Sequence, residues 1–204
     1  CIWHIAHHDA LTGLPNRSLL QDRLGQALAG AERAGHRVAV LFLDLDRFKS
    51  VNDSLGHDVG DALLKGVAGC LTAAVRDVDT VCRIGGDEFV ILLGAVGGPD
   101  DAVMVAERII EALARPQEVM GHSLRATTSI GIALFPEDGR DAQSLMKNAD
   151  TAMYTAKSRG RNNFQFFSVE MNAAATHFFQ LEQRLRRAVE QGEFVLHYQP
   201  QVDI

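Results

Sequence analysis

Two short acidic segments carry the residues best suited to chemistry. The first is Phe42-Leu43-Asp44-Leu45-Asp46-Arg47-Phe48-Lys49, where an apolar run ends abruptly in carboxylates. The second is Arg83-Ile84-Gly85-Gly86-Asp87-Glu88-Phe89, where two carboxylates follow a glycine pair. Adjacent like charges gain nothing at a purely structural hairpin tip. Beside a divalent cation they become useful, because Mg²⁺ takes hard oxygen ligands and keeps positions open for phosphate oxygens. An apolar strand that delivers carboxylates at its carboxyl end is a common way to place such ligands in an α/β crevice. Asp44 and Asp46 lie two apart, so they point the same way only while the strand persists.

Several polar residues elsewhere are less specific taken alone. Asn52 and Asp61 read as loop and helix-cap residues. Lys49, Lys157 and Arg161 read as solvated cations, although Lys157 and Arg161 share a helix face if the helix continues past Gly160. Arg76-Asp77-Val78-Asp79 reads as an ion pair at a helix end. His4, His7 and His8 have no acidic or cysteine partner at ligand spacing and are assigned to surface or packing.

The elements that must hold these residues follow from periodicity. Val38 to Leu45 is a near-continuous apolar strand of the kind buried on both faces of a sheet. Thr80 to Leu93 is two β-rich runs about Gly85-Gly86, a hairpin pattern. Helices are predicted from a cap near Asn16 to Gly35, over Val59 to Val75, Pro99 to Arg115 and Asp141 to Arg159. Ser123 to Phe135 is β-rich, Pro136 to Gly139 is its turn, and Asn163 to Phe167 is a short closing strand. Helices alternating with strands imply an α/β sandwich around a central sheet. From about Val169 the character changes to a charged amphipathic helix, Met171 to Gln191. A new strand then starts at Phe194, as though another domain began there.

Composition narrows the class. The 204 residues are 47% hydrophobic and 23% charged, the mix of a globular domain with a real core. A net charge of −6 argues against a broad nucleic-acid surface but leaves room for a nucleotide held by a local cationic cluster. No apolar run is long enough to span a bilayer, so no membrane contact is expected of this stretch. Three cysteines, widely spaced and odd in number, fit a reduced cytoplasmic setting.

The motifs together resemble the GGDEF family of diguanylate cyclases. The resemblance rests on Gly85-Gly86-Asp87-Glu88-Phe89 itself and on Asp9-Ala-Leu-Thr-Gly-Leu-Pro-Asn-Arg17. It rests also on Asp44-Leu-Asp46-Arg-Phe-Lys49 and on Asn52-Asp-Ser-Leu-Gly-His57-Asp-Val-Gly-Asp61. Ser129-Ile-Gly-Ile132, Ala149-Asp150-Thr-Ala-Met-Tyr154 and Lys157-Ser-Arg-Gly160-Arg161-Asn162 complete it, in the family's order, over roughly residues 5 to 168. It implies a palm-like fold with a mostly antiparallel central sheet flanked by helices, related to class III nucleotidyl cyclases.

It also implies roles for particular residues. Asp44, the Leu45 carbonyl, Asp87 and Glu88 would hold two Mg²⁺ or Mn²⁺ ions, and Asp87 would help deprotonate the attacking hydroxyl, with Glu88 and Lys49 completing the catalytic set. Asn52 and Asp61 would read guanine. Phe48, Lys49, Arg83, Lys157 and Arg161 would hold the rest of GTP. Arg76, Asp79 and Arg108 would form an inhibitory site for the product, cyclic di-GMP. Catalysis would need a homodimer, since each subunit holds one GTP.

The tail Leu181-Glu-Gln-Arg-Leu185 to Tyr198-Gln-Pro200 resembles the opening of an EAL phosphodiesterase domain. The expected organisation is a GGDEF domain over 1–168, a linker helix over 169–192 and the first strand of an EAL domain over 193–204. The alternative to a cyclase is a GTP-binding module that regulates that adjacent domain.

Overall fold

The computed structural model describes residues 6–171, 188, 189, 191 and 193. Most of the expected linker helix and of the strand after it therefore lies outside the described residues. The chain divides into two compact units, Cys1–Ser168 and Val169–Ile204, and the first carries every residue discussed below.

In chain order its elements are α1 (Arg17–Ala34), β1 (Arg37–Leu45), α2 (Phe48–Leu55), α3 (His57–Ala74), β2 (Thr80–Gly85), β3 (Glu88–Val96), α4 (Pro99–Ala114), β4 (Gln117–Val119), β5 (His122–Leu124), β6 (Thr128–Phe135), α5 (Ala142–Ser158) and β7 (Phe164–Phe166). Five strands form one sheet in the order β2-β3-β1-β6-β7. The β4–β5 hairpin stands apart from it. Pairings β2/β3, β3/β1 and β1/β6 are antiparallel and β6/β7 is parallel, so the expected α/β fold with a mostly antiparallel sheet is what forms.

β1 is the central strand, and all of it beyond Arg37 is buried. Successive strand side chains point to opposite faces. Ala39, Leu41, Leu43 and Leu45 accordingly enter one core, roofed by α2, α3 and α4. Val38, Val40 and Phe42 enter a second core beneath α1 and α5. Asp44 belongs by parity to the second face. α1 begins as its sequence predicts: the Asn16 side chain accepts from the Ser18 and Leu19 amides, and Gly35, at φ 71°, closes the other end on the Ala31 carbonyl.

Two elements are absent from the sequence reading. α2 is only eight residues long, built on Asn-Asp-Ser-rich sequence with weak helix propensity. Its docking against α3 stabilises it. The β4–β5 hairpin turns through Met120 and Gly121, both at positive φ, and a methionine in that position gives no turn signal.

Candidate active site

The register of the sheet builds the acidic centre. Asp44 on β1 pairs directly with Glu88 on β3 and with Ser129 on β6. Asp44 and Glu88 thus stand side by side on the α1/α5 face. Gly86, at φ 54°, allows the tight reversal that sets Asp87 and Glu88 at the tip, and the Asp87 carbonyl accepts from the Leu45 amide at 3.2 Å.

Helix α5 supplies the counter-charge. Lys157 Nζ lies 2.7 Å from Asp44 Oδ2. Asp44 is 8% exposed, and its carboxyl is pushed above the usual range, first by burial and then by Asp87 and Asp46, with Lys157 opposing. Burial also raises Glu88, reinforced by the charges of Asp44, Asp150 and Asp87. Asp150, two turns before Lys157 on α5, is raised by burial and held back by Lys157. Glu88 and Asp150 border a cavity of about 370 Å³ floored by Phe42, Leu20 and Met146. Arg17 and Lys147 also line this cavity, so its carboxylates and cations face one another across it.

The donors present are hard carboxylate oxygens, the kind Mg²⁺ and Mn²⁺ prefer. Among the described residues no three His, Cys, Asp or Glu side chains converge on a single point as they stand. Asp44 is paired instead with the Lys157 ammonium group.

α5 is held close to the sheet by Gly131. A β-carbon there would lie 1.9 Å from the Ala149 carbonyl oxygen and 2.1 Å from the Met153 amide nitrogen. The Ser129-Ile-Gly-Ile132 motif therefore has a steric cause. So does Gly60, where a β-carbon would fall 1.9 Å from Asn52 Oδ1 and 3.3 Å from the Phe48 ring.

That second contact defines the corner between α2 and α3. Asn52 sits against Gly60, with its Oδ1 buried and lacking any donor. Asp61, the next residue, is exposed. Phe48 is buried in the core under this corner, so its ring acts through packing. Lys49 is exposed in the first turn of α2, whose N-terminus no side chain caps.

Arg83 donates twice to the Gly86 carbonyl, at 3.0 and 2.7 Å, and once to Asp9 Oδ1 at 2.9 Å. Its guanidinium is committed to bracing the hairpin. Asp9 in turn accepts from Thr12, and although burial raises its pKa, the bonds from Thr12 and Arg83 bring it below the usual value. The Asp9–Arg17 motif is thus a strap across the hairpin, a role its residue types alone did not disclose.

α5 stops at Ser158, so Lys157 and Arg161 do not share a helical face. Arg161 lies instead in a turn with φ 64°, followed by Asn162 at φ 47°. Asp46 lies one residue past the end of β1, yet it stays on the side of Asp44: its Oδ1 accepts from Ser129 Oγ, the cross-strand neighbour of Asp44, and its charge helps raise the Asp44 carboxyl. Arg76 and Asp79 close a turn on themselves: the Arg76 amide donates to Asp79 Oδ2 and the Asp79 amide to the Arg76 carbonyl. Arg108 donates to the Ala74 carbonyl, which brings it to the same end of α3. Arg76 and Asp79 line a cavity of about 240 Å³ with Arg23 and Thr80.

The domain is thus a five-stranded α/β fold whose central strand and neighbouring hairpin bring carboxylates together under a lysine-bearing helix. The family described as diguanylate cyclase, GGDEF domain, matches residues 6–163, and the chain belongs to it. It is 52% identical over 198 residues to MucR of Pseudomonas aeruginosa, a bifunctional diguanylate cyclase/cyclic di-GMP phosphodiesterase, covering 97% of this chain and 29% of that protein. It is 42% identical over 161 residues to the diguanylate cyclase TpbB of the same species, covering 78% of this chain and 37% of TpbB. The TpbB GGDEF domain superposes with a TM-score of 0.82 at 38% identity, over 83% of this chain and 99% of that structure. The coiled-coil and GGDEF domain of DgcB from Caulobacter crescentus, solved with c-di-GMP, superposes with a TM-score of 0.72 at 30% identity, over 81% and 87% of the two chains. The chain spans well under half the length of these curated relatives. No helix among the described residues is long and apolar enough to cross a membrane.

Proposed function

We propose that this domain condenses two GTP molecules into cyclic di-GMP and pyrophosphate. The observation that carries the reading is the cross-strand pair Asp44–Glu88, with Asp87 beside it and Lys157 on Asp44. Such crowded carboxylates cost stability unless cations meet them. Two divalent ions, Mg²⁺ or Mn²⁺, held by Asp44, the Leu45 carbonyl, Asp87 and Glu88, would lower the pKa of the attacking hydroxyl and neutralise charge on the phosphoryl oxygens.

The chain's own residues do the rest. Asn52 and Asp61 orient guanine. The unpaired Asn52 Oδ1, an acceptor whose isolation costs roughly 1–3 kcal/mol, supports a donor arriving with the ligand. Asp61 accepts from the guanine N1–H and amino group, and adenine would leave that carboxylate unpaired. Lys49, Lys157 and Arg161 hold the triphosphate, and Asp87 accepts the proton of the 3′-hydroxyl. The O3′ of one GTP bonds to the α-phosphorus of the other, and the bond to the β-phosphate oxygen breaks. Pyrophosphate leaves, and the reciprocal attack closes the ring. Because each subunit holds one GTP, two copies of the chain meet face to face. Arg76, Asp79 and Arg108 bind the product and restrain the enzyme; Arg76 and Asp79 border one cavity and Arg108, which donates to the Ala74 carbonyl, borders another at the same end of α3.

The test is incubation of the chain with GTP and Mg²⁺ and chromatography of the products. Cyclic di-GMP should appear at a rate rising more steeply than enzyme concentration until dimers saturate. Tight GTP binding without product would favour the regulatory module instead.

A further inference from the structure

Asp46 lies one residue past the end of β1, and both its oxygens are occupied. Oδ1 accepts from Ser129 Oγ at 2.7 Å. Oδ2 accepts from Thr127 Oγ1 at 2.9 Å and from the backbone amide of Asn162 at 3.0 Å. The last bond reaches 116 residues along the chain to the turn that follows α5.

That turn is backbone of an unfavourable kind. Gly160, Arg161 and Asn162 are consecutive at φ 109°, 64° and 47°, and side-chain-bearing residues in the left-handed region persist only where surroundings over-determine them. The over-determination is visible. Asn163 Nδ2 donates to the Ala156 and Arg161 carbonyls, the Arg161 amide donates to the Ala156 carbonyl, and Asp46 holds Asn162. The Ile130 amide on β6 also donates to the Asn163 carbonyl at 3.0 Å, and Asp46, directly after the strand that bears Asp44, is the one side chain among these anchors that reaches the turn from that side. It therefore helps set the distance between Asn162 and the acidic centre.

We infer that Asp46 is a positioning residue, stapling the 160–162 turn so that Arg161 faces the triphosphate held over the end of β1. The inference rests on the assignment of Arg161 to GTP phosphates made above. It separates Asp46 from Asp44: two carboxylates in one D-x-D, one at the reaction centre and one spent on the backbone that aims a cation.

Charge and geometry predict opposite signs, which makes the idea testable. Removing a carboxylate near a triphosphate site should by electrostatics alone tighten GTP. Releasing the turn should weaken it. Calorimetric titration of Asp46→Ala with GTP and with GMP, with Mg²⁺ present, is the experiment. GTP affinity should fall on the order of tenfold, the scale of a displaced Arg–phosphate contact, while GMP affinity stays at the wild-type value. Amide exchange at Asn162 should accelerate. Asp46→Asn, whose carbonyl oxygen can keep the Asn162 and Thr127 bonds while its amide donates to Ser129, should restore most of the GTP affinity. Should Asp46→Ala not fold, Asp46→Glu, which keeps the charge and displaces both oxygens, should reproduce the selective GTP loss. Unchanged or tighter GTP binding by a folded Asp46→Ala overturns the staple, as does an Asp46→Asn as weak as Asp46→Ala. A wild-type chain that binds GTP no better than GMP overturns the triphosphate assignment beneath it, and the staple's purpose with it.

Discussion

Replacing Gly131 with alanine should uncouple the acidic centre from its lysine. The new β-carbon would meet three backbone atoms of α5: the Ala149 carbonyl oxygen at 1.9 Å, the Met153 amide nitrogen at 2.1 Å and the Ala152 carbonyl carbon at 2.8 Å. None belongs to a flexible side chain that can swing away. Ordinary contact requires the helix to retreat by roughly 1.5 Å. Overpacking in a well-filled interior typically costs about 1–3 kcal/mol, and a backbone clash belongs at the upper end. For a domain of this size, about 3 kcal/mol lowers Tm by roughly 6–12 °C. The helix carries Asp150 and Lys157, so a shift of this size also disturbs the Lys157–Asp44 contact at 2.7 Å. A misplacement near 1 Å can cost about 10²-fold in rate. Thermal melting by circular dichroism and GTP turnover of folded Gly131→Ala are the assays. A Tm within a degree of wild type would show that β6 and α5 leave room for a methyl group, and the steric argument would fall.

Two further substitutions probe the charges. Glu88 has its carboxyl raised by burial and by Asp44, Asp150 and Asp87, so the folded state holds that proton more tightly than the unfolded chain. Stability from this group then declines as pH rises from the ordinary carboxylate range through the raised value. In chelator, Glu88→Gln should melt above wild type at pH 7, with the gap closing as pH falls below the ordinary range; a Glu88→Gln that melts lower at pH 7 would contradict the crowding. Lys157→Met removes the cation on Asp44, so nucleotide-free Mn²⁺ binding, followed by electron paramagnetic resonance, should tighten on the order of tenfold (about 1.4 kcal/mol) while GTP binding weakens. Weaker Mn²⁺ binding would mean that Lys157 does not stand where a metal would.

Much of the fold was legible because the strongest signals were local. The apolar run into Asp44, the glycine pair, the Asn16 cap and Gly35 each have a single structural solution, and each forms as expected. α2 and the β4–β5 hairpin were not legible, since their stability comes from docking and from a methionine at positive φ. The candidate site divided in the same way. Residue types and spacing marked Asp44, Asp87 and Glu88. The helix's end at Ser158 decided that Arg161 would leave the face of Lys157, and only the fold shows the Asp46 oxygens tied to Ser129, Thr127 and Asn162. Arg83 presented itself as a ligand residue, and only the fold shows its guanidinium tied to Gly86 and Asp9. End points of elements are set by long-range contacts, which spacing along a chain does not encode.

The most direct measurement is the yield of cyclic di-GMP from GTP and Mg²⁺ by the wild-type chain, by Asp87→Ala and by Glu88→Ala, with each variant's fold verified by its circular dichroism. The account predicts product from wild type and a loss of about 10²-fold or more in either variant, the scale of removing a group that stabilises developing charge. Product formation unchanged in both folded variants would contradict it.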